Sequence, residues 1–186
     1  MERNIDERLD RVRELLKDPD FLEGNGLSNE VNIRMFCYEA KDEMRVRHFV
    51  EQILTDQTLP CHLKENNLYE IFLECCEDKR ILSRMADQEK KRGKDQLQKM
   101  IEKSITVQVY VNKICAESPE KDDVLLLTGV GDVSPFMRIH MLLEALQPRV
   151  GGVPILVMYP GTFDGRHVKL FDRLKPNPYY RAFNVI

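Results

Sequence analysis

The fold is decided by the stretch from Asp122 to Gly161, which reads DDVLLLTGVGDVSPFMRIHMLLEALQPRVGGVPILVMYPG. Two short, unbroken apolar runs, Val124–Thr128 and Val153–Tyr159, are bounded by polar or turn-forming residues, as is typical of strands buried on both faces. The apolar residues between these runs recur at helical spacing: Phe136, Ile139, Leu143 and Leu146. Strand, helix and strand of these lengths predict a right-handed parallel βαβ unit.

Local signals suggest where this helix begins and where the second strand ends. Ser134 is a natural N-cap, and Pro135 then occupies the first helical position, where a missing N–H is harmless. Pro148 closes the helix, and Pro160 with Gly161 is expected to end the second strand.

Upstream of this unit, helical and strand-like segments alternate. Amphipathic helices are predicted over Ile5–Leu16, Val46–Leu54 and Leu68–Cys75, a strand over Val31–Tyr38, and a further short strand over Thr58–His62. Two asparagines stand where helix N-caps are expected, each followed three residues later by a glutamate: Asn4 and Asn67.

The middle of the chain leaves two assignments open. The section 87–96 is polar and therefore solvated, and Gly93 in its basic cluster fits either a break between two helices or a hinge in one helix. Residues 105–111 alternate like a strand and also match a helix. We favour a helix because it would supply a crossover before the next strand.

The whole chain, residues 1–186, is predicted to form a single α/β domain with a mostly parallel sheet flanked by helices. Beyond Gly161 the sequence becomes polar and rich in turn-forming residues, and only Ala182–Ile186 regains strand-like composition. No internal repeat, linker or low-complexity segment interrupts it.

Composition excludes several classes of protein. With 42% hydrophobic and 32% charged residues the chain is too apolar for disorder, and its net charge of −3 argues against a surface wholly devoted to nucleic acid. No apolar run reaches the roughly 20 residues needed to span a bilayer, so a cytoplasmic protein is expected. The five cysteines show no paired spacing and are interpreted as reduced, buried thiols, with no metal site and no cofactor.

Two glycine-containing loops should lie at the carboxyl ends of the strands, where open parallel sheets bind ligands: Thr128–Asp132 and Tyr159–Thr162. Loop amides, the helix N-terminus near Ser134 and Arg138 could hold an anion there. However, no lysine follows Gly129 and Gly131 at phosphate-binding spacing. The sequence therefore predicts a fold like that of nucleotide-binding domains without their phosphate-binding loop, in which the glycines mainly turn the chain.

Catalytic patterns are missing from the sequence, so we predict that the chain is not an enzyme. The four histidines are scattered, and no GxSxG elbow is present. The basic section 87–96 reads more readily as a solvated helix face than as a nucleic-acid contact. The tail alternates aromatic and basic residues, a composition that fits a packed terminal strand or an interaction hot spot equally well.

Several motifs in the last third of the chain occur together in one known family. They are Gly129-Val130-Gly131, Pro135-Phe136-Met137-Arg138, Leu142–Leu146, Val153-Pro154, Tyr159-Pro160-Gly161, Leu170-Phe171 and Tyr179-Tyr180-Arg181-Ala182-Phe183. In combination they resemble the BrxB family of BREX (bacteriophage exclusion) systems.

That resemblance implies a role in phage defence beside a PglZ-like protein of the phosphatase superfamily, with a methyltransferase and a large ATPase as further possible partners. It brings no agreed catalytic residues. The candidate binding residues are therefore Gly129, Gly131, Arg138, Tyr159, Gly161, Tyr179, Tyr180 and Arg181. The favoured hypothesis is a non-catalytic interaction component; the alternatives are a nucleotide-binding or switching domain and a subunit that contacts nucleic acid.

Overall fold

The computed structural model describes residues 4–24, 32–163, 167–174, 177–178 and 184–185. The helices in this part of the chain are α1 Ile5–Leu15, α2 Pro19–Glu23, α3 Glu43–Leu54, α4 Leu68–Asp78, α5 Met85–Arg92, α6 Lys94–Ser104, α7 Val107–Ile114 and α8 Ile139–Leu146. Its strands are β1 Ile33–Tyr38, β2 His62–Asn67, β3 Asp123–Thr128, β4 Ile155–Phe163, β5 His167–Leu170, β6 Asn177–Pro178 and β7 Asn184–Val185.

Five of the strands run parallel in the order β2-β3-β4-β1-β7. Ile155 of β4 lies opposite Ile33 of β1 on one side and Leu125 of β3 on the other. The far end of β4 pairs antiparallel with β5, which in turn pairs with β6. The mostly parallel α/β architecture predicted from the sequence is therefore confirmed.

Helices cover both faces of this sheet, and strand alternation distributes the core between them. Phe36, Leu126 and Leu156 point toward α1, α2 and α3. Leu127 and Val157 point toward α4, α6, α7 and α8 on the opposite face. Each such side chain contributes on the order of 1.5 to 3 kcal/mol when it is fully buried, so the two apolar layers hold the central strands in place.

The βαβ unit predicted around α8 is confirmed, because β3 and β4 are parallel neighbours joined through that helix. All six residues of β3 are buried, as an unbroken apolar run indicates. The predicted caps also form: Asn4 accepts a hydrogen bond from the Asp6 amide, and Asn67 accepts from the Tyr69 and Glu70 amides.

Both assignments left open by the sequence are resolved as helices. Gly93 separates α5 from α6, so the basic section contains two helices and not one. Residues 107–114 form α7, since Tyr110, Val111 and Ile114 lie on one helical face and are buried there.

Two sequence-based strand boundaries were wrong. The strand expected over Thr58–His62 lies instead over His62–Asn67, whose polar residues suit an edge strand that is only partly covered. Pro160 and Gly161 do not end β4, which continues to Phe163 because its last residues pair with β5. The polar segment after Gly161 accordingly contains a strand that the sequence did not indicate.

The start of α8 was also misplaced. Residues 129–136 form successive turns closed by backbone bonds from Val133 to Gly129 and from Phe136 to Val133, and the Ser134–Pro135 bond is cis. These turns bury Val130, Val133 and Met137, so α8 begins only at Ile139, with Arg138 as its N-cap. No helix among the described residues combines the length and the apolarity needed to cross a bilayer.

Candidate binding site at the carboxyl edge of the sheet

A groove opens where four parallel strands end. The last residues of three strands line it, Tyr38 of β1, Asn67 of β2 and Thr128 of β3, together with Met158 of β4 and the inner face of α3. Its cavity measures about 240 Å³. We call this feature the carboxyl-edge groove.

Topology explains why the groove forms there. The chain leaves β1 through α3 toward the edge strand β2, whereas it leaves β3 through α8 in the opposite direction, on the other face of the sheet. Because these two connections lie on opposite faces, they leave a crevice between them outside the carboxyl ends of the strands, which is where open α/β sheets bind ligands.

A chain of hydrogen bonds crosses one wall of the groove. The Tyr38 hydroxyl donates to Glu43 at 2.7 Å, and Arg47 donates to Glu43 at 2.7 Å and to Asp132 at 2.5 Å. Burial, followed by the hydrogen bond to Glu43, raises the pKa of Tyr38, so its hydroxyl remains a donor. These hydrogen bonds join β1 and α3 to the loop after β3, although Arg47 and Asp132 are 85 residues apart in the sequence.

The other wall is fixed by a close backbone approach. Thr128 donates to Glu65 at 2.7 Å, which joins the ends of β3 and β2. Gly129 follows with φ of +68°, and a Cβ atom there would collide with the side-chain oxygen of Asn67 and lie 3.2 Å from the Tyr69 amide nitrogen. Only glycine therefore lets the loop pass beside the capped N-terminus of α4.

The charges that line the groove are mostly negative. Its acidic residues are Glu43, Glu51, Glu65, Glu70 and Asp132. Arg47 is the one basic residue among the lining side chains that the structure describes, and two of those carboxylates already hold it. Such a lining repels phosphate and attracts cationic groups and neutral hydrogen-bond donors.

One large exposed apolar side chain lines this acidic surface, and two more follow or precede lining residues in sequence. Leu54, which lines the groove, is 37% exposed. Tyr69 and Met44, next in sequence to the lining residues Glu70 and Glu43, are 39% and 73% exposed. Exposed aromatic, methionine and leucine side chains within a charged rim are typical of protein-binding surfaces.

The sequence-predicted site residues are dispersed around the groove. Gly129 lies in its wall, while Gly131 packs behind the loop, where a Cβ would meet the Phe171 ring at 2.7 Å. Tyr159 is 1% exposed in the core, so it has no surface to offer a ligand in this structure. Arg138 is exposed as the N-cap of α8.

Gly161 lies in β4 and not in a loop, because a Cβ there would strike the Lys169 carbonyl oxygen of β5. The two predicted glycine loops therefore do not form a matched pair at the sheet edge. Tyr179, Tyr180 and Arg181 lie outside the described residues.

The thiols and imidazoles of the described residues are poorly placed for nucleophilic chemistry. Burial raises the pKa of the Cys37 thiol to about 12 and that of Cys76 to about 11, so both stay protonated and unreactive. His48 lies on the exposed side of α3 beside Gln52, and His62 lies 3.9 Å from the Asp123 carboxylate at the other end of the strands.

Comparison with known proteins identifies relatives along nearly the full chain. Residues 64–185 match the family model described as BREX protein BrxB. A protein of Bacillus cereus (strain H3081.97) named BREX protein BrxB is 36% identical over 191 residues, covering 99% of this chain and 98% of its own. One of the same name from Escherichia coli O9:H4 (strain HS) is 28% identical over 189 residues, covering 98% and 92%. No solved structure matches the chain.

Proposed function

The chain belongs to the BrxB family of BREX proteins, and from that premise we propose that it is a non-catalytic interaction component of a BREX phage-defence system. Its partners are other components of that system. The partner we propose for the carboxyl-edge groove is the PglZ-like protein, and the acidity of the groove leads us to expect a basic surface on that partner.

The composition of the groove is the observation that carries this proposal. It combines five carboxylates, whose one neighbouring cation is already held by two of them, with the exposed apolar side chain of Leu54. A nucleotide would bring further negative charge to a site whose described lining residues offer its phosphates no free cation. A protein surface with lysine or arginine side chains around an apolar patch complements both features.

The shape of the groove supports the same function. The hydrogen bonds that join Tyr38, Glu43, Arg47 and Asp132 hold its wall in one geometry before any partner arrives. Preorganised side chains lose little entropy when they bind, which favours their use as a docking surface. The raised pKa values of Cys37 and Cys76 keep both thiols protonated, which is consistent with a non-catalytic role for them.

Co-purification with the PglZ-like protein of the same system tests the proposal. We expect the double variant Glu51→Lys with Glu70→Lys to weaken the complex at least about tenfold, since both exposed carboxylates line the groove. The matched control is Glu14→Lys with Glu144→Lys, which makes the same charge change at exposed positions outside the groove. Binding lost equally in both variants, or in neither, contradicts the groove as the docking surface.

Two further measurements separate this proposal from its alternatives. Tyr180→Ala and Arg181→Ala test whether the tail supplies the interface, and an effect larger than that of the groove variant would move the site there. Calorimetric titration with ATP, GTP and their diphosphates should give no binding heat. A saturating nucleotide isotherm would favour the nucleotide-binding alternative.

A further inference from the structure

A second charged surface of the molecule is basic, whereas the carboxyl-edge groove is acidic. Between Lys79 and Lys94 seven side chains are basic and two are acidic, in a chain whose net charge is −3. Lys79, Arg80 and Arg84 flank the 3-10 turn after α4, and Lys90, Lys91, Arg92 and Lys94 surround Gly93 between α5 and α6. All seven side chains are exposed. We call residues 79–94 the basic corner.

The cations of the basic corner have no ion-pair partner among the described residues. Other basic side chains on the surface are paired, as Lys113 is with Glu74 at 3.3 Å and with Asp78 at 2.9 Å. The carboxylate of Asp78, which directly precedes Lys79 in the sequence, therefore pairs with Lys113 and not with a cation of the basic corner. With seven basic and two acidic residues within 16 positions, the corner keeps a net positive charge, and its like charges repel one another.

The backbone makes this surface project. α5 has no buried residue, and Gly93 turns the chain into α6 with a positive φ of 79° and open space around its Cα. Arg80 adopts a left-handed conformation, φ 55°, where glycine or asparagine is favoured. A cation therefore occupies a position at which the backbone alone would select a different residue.

We propose that the basic corner binds the phosphate backbone of nucleic acid without reading its sequence. Phosphate contacts require only Lys and Arg, whereas protein interfaces and base stacking draw on aromatic side chains, of which residues 79–94 contain none. An inserting membrane contact needs an apolar face, and among the large apolar residues of the corner only Leu82 is exposed, at 38%.

The dimensions of the corner suit a duplex. Eight residues of α5 span about 12 Å at 1.5 Å per residue. Double-stranded DNA presents one charge per roughly 1.7 Å of its axis, so this length faces on the order of seven phosphates. Three of the seven cations, Lys90, Lys91 and Arg92, lie in the last turn of α5, so this helix can bring at most three cations to the phosphates that it faces.

Fluorescence anisotropy with a labelled duplex of about 30 base pairs and the full chain alone tests the inference. We expect weak binding that falls as salt rises. The triple variant Lys90→Glu, Lys91→Glu, Arg92→Glu should raise the dissociation constant for the duplex at least tenfold. It should also reduce the slope of the logarithm of the binding constant against the logarithm of the salt concentration by about three. The matched control reverses exposed cations elsewhere: Lys17→Glu, Lys121→Glu, Arg149→Glu.

The variant Arg80→Asn offers a probe that the backbone tolerates, because asparagine adopts positive φ readily. It should weaken duplex binding while circular dichroism and the melting temperature stay unchanged. Equal losses in the corner and control variants, salt-insensitive binding, or no binding at low salt would overturn the inference. So would capture by phosphatidylserine vesicles without any binding of DNA.

Discussion

The carboxyl-edge groove and the basic corner carry charges of opposite sign and hold them in opposite ways. In the groove, Arg47 is fixed between Glu43 and Asp132, and the loop after β3 passes Asn67 so closely that Gly129 has no substitute. In the basic corner no cation has an ion-pair partner within the described part of the chain, and α5 buries nothing. Substitutions in the groove should therefore lower both the stability of the fold and the affinity for a partner, whereas substitutions in the basic corner should lower affinity alone.

The largest effect is expected from Gly129→Ala. The new Cβ would meet the Asn67 side chain and the Tyr69 amide in a left-handed conformation, so we expect the free energy of unfolding to fall by about 2 to 4 kcal/mol. Urea denaturation measures this loss. Gly151→Ala is the matched control, because Gly151 has a similar φ of +61° and nothing within 4 Å of its Cβ position.

The control should lose only about 1 kcal/mol, which is the conformational penalty without the collision. If Gly129→Ala costs no more than Gly151→Ala, the groove wall is less tightly fitted than the described contacts indicate.

The next largest effect is expected at Asp123, a buried carboxylate at the opposite ends of the strands. Its carboxylate is 2% exposed, accepts from Lys64 at 2.7 Å and accepts from the Glu120 amide. Burial opposes ionisation, yet these hydrogen bonds keep the pKa of Asp123 below its ordinary value. Asp123→Asn should lower the free energy of unfolding at pH 7 by about 1 to 3 kcal/mol.

The pH dependence of this loss in the free energy of unfolding follows from the lowered pKa of Asp123. A lowered pKa in the folded state contributes stability above the ordinary carboxyl value of about 4, and that contribution disappears as the pH falls through the folded value. The difference between parent and variant should therefore shrink below about pH 4. Asp122→Asn, an exposed neighbour, should show no such difference.

A smaller effect is expected from Arg47→Gln in the groove. Its two ion pairs are partly exposed, with side-chain exposures of 48% for Arg47 and 44% for Asp132, so the loss in stability should be about 1 kcal/mol or less. Raising the salt concentration should reduce the difference further. A loss that does not change with salt would show that packing, and not charge, holds this wall.

The smallest effect on stability is expected from Arg80→Asn in the basic corner. Removing an unpaired, exposed cation from a left-handed position should change the free energy of unfolding by no more than about 0.5 kcal/mol in either direction. Thermal unfolding by circular dichroism measures it. A destabilisation of several kcal/mol would give the corner a role in folding that its exposure does not indicate.

Sequence patterns predicted the interior better than the edges. The run Val124–Thr128 could be recognised because a strand buried on both faces needs apolar residues without interruption. β2 escaped recognition because an edge strand, half covered and rich in Lys, Glu and Asn, shows no apolar alternation. β5 escaped recognition for a similar reason, because only one of its four residues is fully buried and the strand is held by its pairing with the end of β4.

The carboxyl-edge groove could not be assembled from the sequence. Glycines after two strands pointed to the correct edge of the sheet, but Gly161 turned out to lie inside β4. The groove depends on the strand order β2-β3-β4-β1, which brings Tyr38, Asn67 and Thr128 together. Nothing local in the sequence specifies that order, and the pairing of Arg47 with Asp132 depends on it entirely.

The same strand order has a consequence for synthesis on the ribosome. β1 pairs only with β4 and β7 in the described structure, so the first strand made has no neighbour until about 120 further residues have been translated. At 5 to 20 residues per second this is a wait of roughly 6 to 25 s. During that interval β1 has no strand beside it, and the nascent N-terminal segment presents Phe36 and Leu9 to whatever chaperone meets it first.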